Sequence, residues 1–192
     1  MQRRAESQQQ TRRRLTESAV ALHGSVGPSR TTMSAVAEHA GVRRSTLYRH
    51  FPDEAALFDA CTAHWASENP LPHLSAWLAI SDADERLGVA LGELYPLYGR
   101  TERMFANLLR DEQTMPLVAE RFAAVRAYFD AAQNTLMVGR RVRGAAKRRT
   151  SGALGHAISF STWKSLVKEQ ALSPAEAVEL MRSLVTDAGL TR

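Results

Sequence analysis

The sequence predicts an all-α protein. Apolar residues recur at spacings of three and four through most of the 192 residues, and no run alternates apolar and polar as a strand would. Glycine (11) and proline (7) are scarce, which argues against a loop-rich β architecture. Hydrophobic residues make up 44% and charged residues 23%, so the chain can build an ordinary core, burying about 70% of its unfolded surface.

The elements follow in order. A polar stretch over residues 1–10 reads as a flexible arm, and a first helix is expected from Thr11 to Leu22, ending at Gly24. Residues 25–30 read as a loop. Thr32 is a good N-cap for a short helix Met33–Ala40, Gly41 suits a left-handed turn, and a further helix runs from Arg44 to Phe51. Asp53 then caps a helix with Leu57, Phe58, Cys61 and Trp65 on its apolar stripe. The Pro- and polar-rich stretch 67–73 breaks the pattern. Beyond it, Leu87, Leu91, Leu94 and Tyr98 share a face, although Pro96 should kink or end that helix. Met104, Phe105, Leu108 and Leu109 mark a short helix, and Val118, Phe122, Val125, Phe129, Ala132 and Leu136 a long one. Phe160, Trp163 and Val167 mark the next. The last, with Ala177, Leu180, Met181 and Leu184 on one face, starts at the N-cap and first-turn proline Ser173-Pro174. That makes about nine helices.

Charge divides the chain unevenly. The net charge is +5 and the pI near 9.9, but residues 1–50 hold nine Arg against three acids while the remainder is close to neutral. A second basic run spans Arg140 to Arg149. It could contact DNA or an acidic effector, or be a solvated interhelical loop whose arginines cap helix C-termini. A basic N-terminal module on a neutral body is the pattern of a nucleic-acid reader with a second function. The preponderance of Arg (22) over Lys (3) fits a GC-rich bacterial genome rather than a function.

Other classes find little support. The single cysteine excludes an intramolecular disulfide framework and a multi-cysteine metal site, and Cys61 with His64 makes at most a weak metal pair. No Gly-x-Ser-x-Gly elbow, phosphate-cradling glycine loop or His-Glu-x2-His motif occurs, so neither an enzyme, a cofactor nor a metal is expected. The start has no apolar signal core and no apolar stretch is long enough to span a bilayer, which predicts a cytoplasmic protein.

Residues 31–51 carry the functional signal. A helix-turn-helix needs a small residue where its helices touch, a glycine in the turn and an apolar anchor on the second helix. Ala37, Gly41 and Leu47 supply these at offsets of four and six. With Leu47 and Phe51 inward, Ser45, Thr46, Tyr48 and Arg49 point outward or sideways. Arg43 and Arg44 stand at the helix start, where a recognition helix meets base edges, and either could bond O6 and N7 of a guanine. Thr32, Thr46, Tyr48 and His50 offer donors for phosphate, and Arg12, Arg13 and Arg14 could add non-specific attraction.

These residues, as Thr32-x4-Ala37-x3-Gly41-Val42 and Thr46-Leu47-Tyr48-x-His50-Phe51, resemble the tetracycline-repressor (TetR) family of bacterial transcription regulators. The likeness covers about residues 11–60. It implies a three-helix helix-turn-helix DNA-binding domain over 11–55. A larger helical domain over 56–192 would then bind a small effector and form a homodimer through its last two helices. Two recognition helices about 34–36 Å apart would read a palindromic operator on double-stranded DNA. By the same likeness Arg43, Arg44, Ser45, Tyr48 and Arg49 contact bases, and Thr32, Thr46 and His50 contact phosphate. One position departs: Glu54 stands where the family often has a phosphate-binding lysine.

For the effector, Phe105, Phe129, Phe160 and Trp163 are candidate cavity residues, with His156, Asn107, Arg110 or Asn134 as polar anchors. Aromatics at this spacing also serve as plain core. The expected function is a ligand-released repressor. A ligand-independent activator or chromosome-organising protein of the same fold is the alternative, and a helical enzyme a distant third.

Overall fold

The computed structural model describes residues 2–190, and side chains from residue 5 onward. Among the described residues it contains ten α-helices and no strand: α1 (Gln2–Ser25), α2 (Met33–His39), α3 (Arg44–His50), α4 (Glu54–Glu68), α5 (Leu74–Leu78), α6 (Ala83–Asp111), α7 (Pro116–Met137), α8 (Gly144–Ala157), α9 (Phe160–Trp163) and α10 (Pro174–Gly189). A 3₁₀ turn, Pro28–Arg30, follows α1, and a π-helical turn, Lys164–Glu169, continues α9.

Several boundaries differ from the sequence expectations. Residues 2–10, expected as an arm, continue α1. The helices expected on either side of residue 100 are one helix, α6, which runs through Pro96. Pro96 removes the donor for the Gly92 carbonyl, but both residues are exposed, so water can take that carbonyl and the helix need not break. Helices α5 and α8 were not expected. The basic run is half helix, because α8 starts at Gly144. On α10 the buried face is Ala177, Met181 and Val185, whereas Leu180 and Leu184 lie 44% and 41% exposed.

The chain divides into two compact units. The first comprises residues 1–70 and 102–123. Its core brings Leu15 and Ala19 of α1 together with Val36 and Ala37 of α2, Leu47 and Phe51 around α3, and Leu57 and Cys61 of α4. Local signals start and stop these helices as the sequence suggests. Thr32 Oγ1 accepts from the Ala35 amide at 3.1 Å, Asp53 Oδ1 accepts from the Ala56 amide at 2.8 Å, and Gly41 adopts φ +64° in the α2–α3 turn. Cys61 is core: burial pushes its thiol up to about 12.

The second unit comprises residues 71–101 and 124–192. Leu87, Leu91, Leu94, Leu136, Leu154 and Val185 are fully buried in it. Two buried phenols close the end of α8. Tyr95 donates to the Ala157 carbonyl at 2.9 Å and Tyr98 to the Ile158 carbonyl at 2.5 Å, so terminal carbonyls that lack helical donors are satisfied. A capping box starts α10. The Ser173 amide donates to Glu176 Oε2 at 2.8 Å, and the Glu176 amide donates to Ser173 Oγ at 3.3 Å.

Candidate nucleic-acid interface

The first unit fixes α3 by its inner face and leaves its outer face free. Leu47 and Phe51 are fully buried, while Arg43, Arg44, Ser45, Tyr48 and Arg49 are exposed and Thr46 is half-buried. Arg44 and Tyr48, one turn apart, form a pair. The Arg44 guanidinium donates Nη2 to the Tyr48 hydroxyl at 3.1 Å and lies 5.4 Å from its ring centroid. The phenol thus limits the wandering of a long cation, which lowers the entropy cost of placing it on a ligand. Arg44 and Tyr48 also line an open groove of about 540 Å³ with Thr32, Ser34, Glu54 and Thr114. Glu54 therefore brings its carboxylate to the same groove as Arg44.

The N-terminal arginines do not act as one cationic cluster. Arg12 donates Nη1 to the His50 carbonyl at 2.7 Å and stacks 4.2 Å over the Phe51 ring. Arg14 donates to the Ala40 carbonyl, and Arg13 pairs with Glu17 at 2.7 Å. Arg12 and Arg14 thereby cap the C-termini of α3 and α2, where a cation also meets the negative end of the helix dipole. Their partners lie 38 and 26 residues away in sequence, so no local signal could have revealed this role. His50 is less available than its neighbours. Its Nε2 is buried without a partner, and burial, with the charges of Arg49 and Arg12 nearby, holds its pKa below the ordinary value. A phosphate contact through that nitrogen would require the side chain to rotate outward.

Residues 15–61 match the profile of the bacterial regulatory proteins of the tetR family. This segment belongs to the TetR family. Solved structures similar to the chain include transcriptional regulators that align over nearly its whole length. A transcriptional regulator from Rhodococcus sp. Rha1 aligns with a TM-score of 0.62 at 15% identity, over 94% of this chain and 99% of that one. NalD, the secondary repressor of the MexAB-OprM multidrug efflux pump in Pseudomonas aeruginosa, aligns at 0.62 and 23%, over 97% and 98%. A tetR-family transcriptional regulator from Streptomyces coelicolor aligns at 0.59 and 19%, over 94% and 79%. No curated protein sequence matches the chain significantly. At such identities the solved structures speak for the fold: the chain has the fold of a TetR-family transcriptional regulator.

The expected effector residues fall apart into two groups. Phe129, Phe160 and Trp163 gather around Tyr98, with ring centroids 5.5 to 6.4 Å from its own. Phe105 belongs to the other unit, where it packs edge-on against Trp65 and Phe122. His156 is exposed at the end of α8, with Nδ1 3.1 Å from Thr162 Oγ1, and Asn134 is exposed on α7. Asn107 and Arg110 are spent on the end of α1: Asn107 Nδ2 donates to the His23 carbonyl at 2.9 Å, and Arg110 Nη2 to the Val26 carbonyl at 3.0 Å. Asp111 completes this arrangement by accepting from the Ser29 amide at 2.9 Å. The Tyr98 role was missed because an aromatic on an apolar stripe looks the same in sequence whether it is core or centre of a cluster. In the basic run, Arg140 donates to the Leu136 carbonyl and Arg149 to the Ala188 and Leu190 carbonyls, so these two cap α7 and α10.

Proposed function

We propose that this DNA-binding regulator is a homodimeric repressor released from a palindromic operator by a small molecule. The observation that carries the DNA reading is the exposed face of α3, where a pre-paired Arg44 and Tyr48 stand among Arg43, Ser45 and Arg49 over a buried Leu47 and Phe51. In this reading those five residues meet base edges in the major groove. Thr32, Thr46 and His50 meet phosphates, and Glu54 weakens backbone contact beside them. Residues 11–55 form the reading domain and 56–192 the regulatory part, with Phe129, Phe160 and Trp163 around Tyr98 as the effector's contact surface. An effector that favours a regulatory conformation with misspaced recognition helices would lower operator affinity through its differential affinity for the two states.

Gel-shift titration on the DNA upstream of the protein's own gene tests this. Arg44→Ala is expected to weaken the specific site about 5- to 150-fold, the loss of one bidentate base contact at ~1–3 kcal/mol, and to leave random DNA almost unchanged. Thr46→Ala should weaken both alike, since a phosphate donor carries no sequence information. Equal losses on both DNAs for Arg44→Ala would refute its base-reading role. Absence of any sequence-selective binding at moderate salt would refute the regulator reading itself. A specific complex that no metabolite releases would favour the ligand-independent activator or chromosome-organising alternative.

Dimerisation through the last two helices is supported by α10, whose Leu180 and Leu184 remain exposed one turn apart although its opposite face is buried. Such an outward apolar pair is costly to leave in water. Replacing both by Asp is expected to yield a folded monomer in sedimentation equilibrium, with operator affinity falling at least tenfold as one half-site is lost. A dimer that survived the double substitution would move the interface elsewhere.

A further inference from the structure

We propose that the second unit carries a polar small-molecule site, separate from the Tyr98 cluster, that takes a zwitterion of the free amino-acid class. The start of α6, the α7–α8 loop, α8 and the end of α10 line an open hollow of about 360 Å³. That is within the ordinary range for small-ligand sites, roughly 300–1,000 Å³. One of its lining residues, Thr150, is 1% exposed, and its hydroxyl has no hydrogen-bond partner. A threonine inside a helix usually satisfies its hydroxyl on the carbonyl one turn back, and Thr150 does not. Gly189 lies next to it, since a Cβ there would make ordinary van der Waals contact, 3.5 Å, with both Thr150 Oγ1 and Val142 Cγ1. A buried hydroxyl left unpaired in the wall of such a hollow is a polar atom awaiting a guest.

The charges around the hollow select the class of guest. Asp82 accepts through Oδ1 from the Asp84 and Glu85 amides at 2.9 and 2.7 Å, and Asp84 accepts through Oδ1 from Arg140 Nη1 at 2.8 Å. Those amide bonds hold the Asp82 carboxyl below its ordinary value, so it stays ionised. Arg140 is committed, since its other donors bind the Leu136 and Ala83 carbonyls. Arg141 is exposed and has no partner among the described residues. A simple anion drawn to Arg141 would face two carboxylates, and a simple cation drawn to those would face two guanidiniums. A molecule with an ammonium for Asp82 and Asp84 and a carboxylate for Arg141 satisfies both sides, and Val142 and Val185 receive its aliphatic part.

This inference is independent of DNA binding, and its test contains no DNA. The full-length protein is titrated with each proteinogenic amino acid at millimolar concentration, read by thermal unfolding and calorimetry, with acetate and ethylamine as single-charge controls. At least one amino acid should raise Tm saturably, and neither control should. Thr150→Val should leave the unliganded Tm unchanged or raised, because it removes an unpaired hydroxyl while keeping the side chain's shape. It should also weaken binding at least about tenfold, as should Arg141→Gln at the surface. A panel without any saturable shift would overturn the proposal. So would controls that match the amino acids, or a shift that both variants retain.

Discussion

Arg86→Ala is expected to destabilise the second unit by about 2–4 kcal/mol, the cost of leaving two carbonyls without the donor that binds them. Arg86 is 2% exposed, and its guanidinium joins the ends of two helices. At the end of α5, it donates Nε to the Trp77 and Ile80 carbonyls at 3.1 and 3.0 Å and Nη2 to the Ile80 carbonyl at 2.6 Å. At the end of α7, Nη1 donates to the Thr135 and Val138 carbonyls at 3.3 and 2.6 Å. The Trp77 and Thr135 carbonyls keep the Ile80 and Val138 amides as donors, at 3.0 and 3.2 Å, so removing the arginine leaves the Ile80 and Val138 carbonyls without a partner, at ~1–3 kcal/mol each. Relief from burying a cation, together with water entering the space, returns part of that. Arg86→Lys should recover less than half the loss, because a single ammonium cannot span both helix ends as a planar fork does. Urea unfolding checks both variants, and a change below about 1 kcal/mol for Arg86→Ala would mean that water caps these helices adequately.

The second large effect is acid destabilisation through His23. This residue is 8% exposed at the end of α1, its ring 5.3 Å from that of Phe58, and burial lowers its pKa to about 4 despite the opposing pull of Asp111. In the unfolded chain its pKa returns to about 6.5. Above that value His23 is neutral in both states and its contribution is intact. As pH falls from about 6.5 towards 4, the unfolded chain takes up a proton that the folded protein refuses. Stability should therefore decline by up to about 3 kcal/mol across that window. Unfolding of the wild type and His23→Leu, followed between pH 7 and 4, measures this. The variant should lose most of the slope between pH 6.5 and 4, and a wild-type slope unchanged in the variant would assign the acid sensitivity to other groups.

How much of the molecule was legible in the sequence depended on the range of the interaction. The α2–turn–α3 segment was readable because its determinants are local. Thr32 caps its own helix, Gly41 supplies the positive φ of its own turn, and Leu47 and Phe51 share a face by helical geometry. The expected start of α4 at Asp53 and of α10 at Ser173 held for the same reason. Pro96 misled because its cost depends on whether the freed Gly92 carbonyl meets water, which neighbouring residues do not encode. Helix α8 was missed because its first turn is Gly, Ala and basic residues, with no apolar stripe until Leu154 meets a partner helix.

For the candidate interface, the outward set on α3 followed from periodicity, but the state of each side chain did not. Tertiary contacts turned Arg12 and Arg14 from free cations into caps for α3 and α2, and they buried one nitrogen of His50. They also sent Phe105 to one unit and Phe129, Phe160 and Trp163 to the other, although all four look alike on their own stripes. By itself, then, the sequence determined the all-α class, the helix-turn-helix, and the residues that α3 presents, since these rest on caps, turns and periodicity within a few residues. Only the tertiary structure decided where each arginine is spent, which aromatics meet, and that Thr150 is left without a partner. Those outcomes depend on groups tens of residues apart arriving at one place, and the desolvation and hydrogen bonding that set their roles exist only once the chain has folded around them.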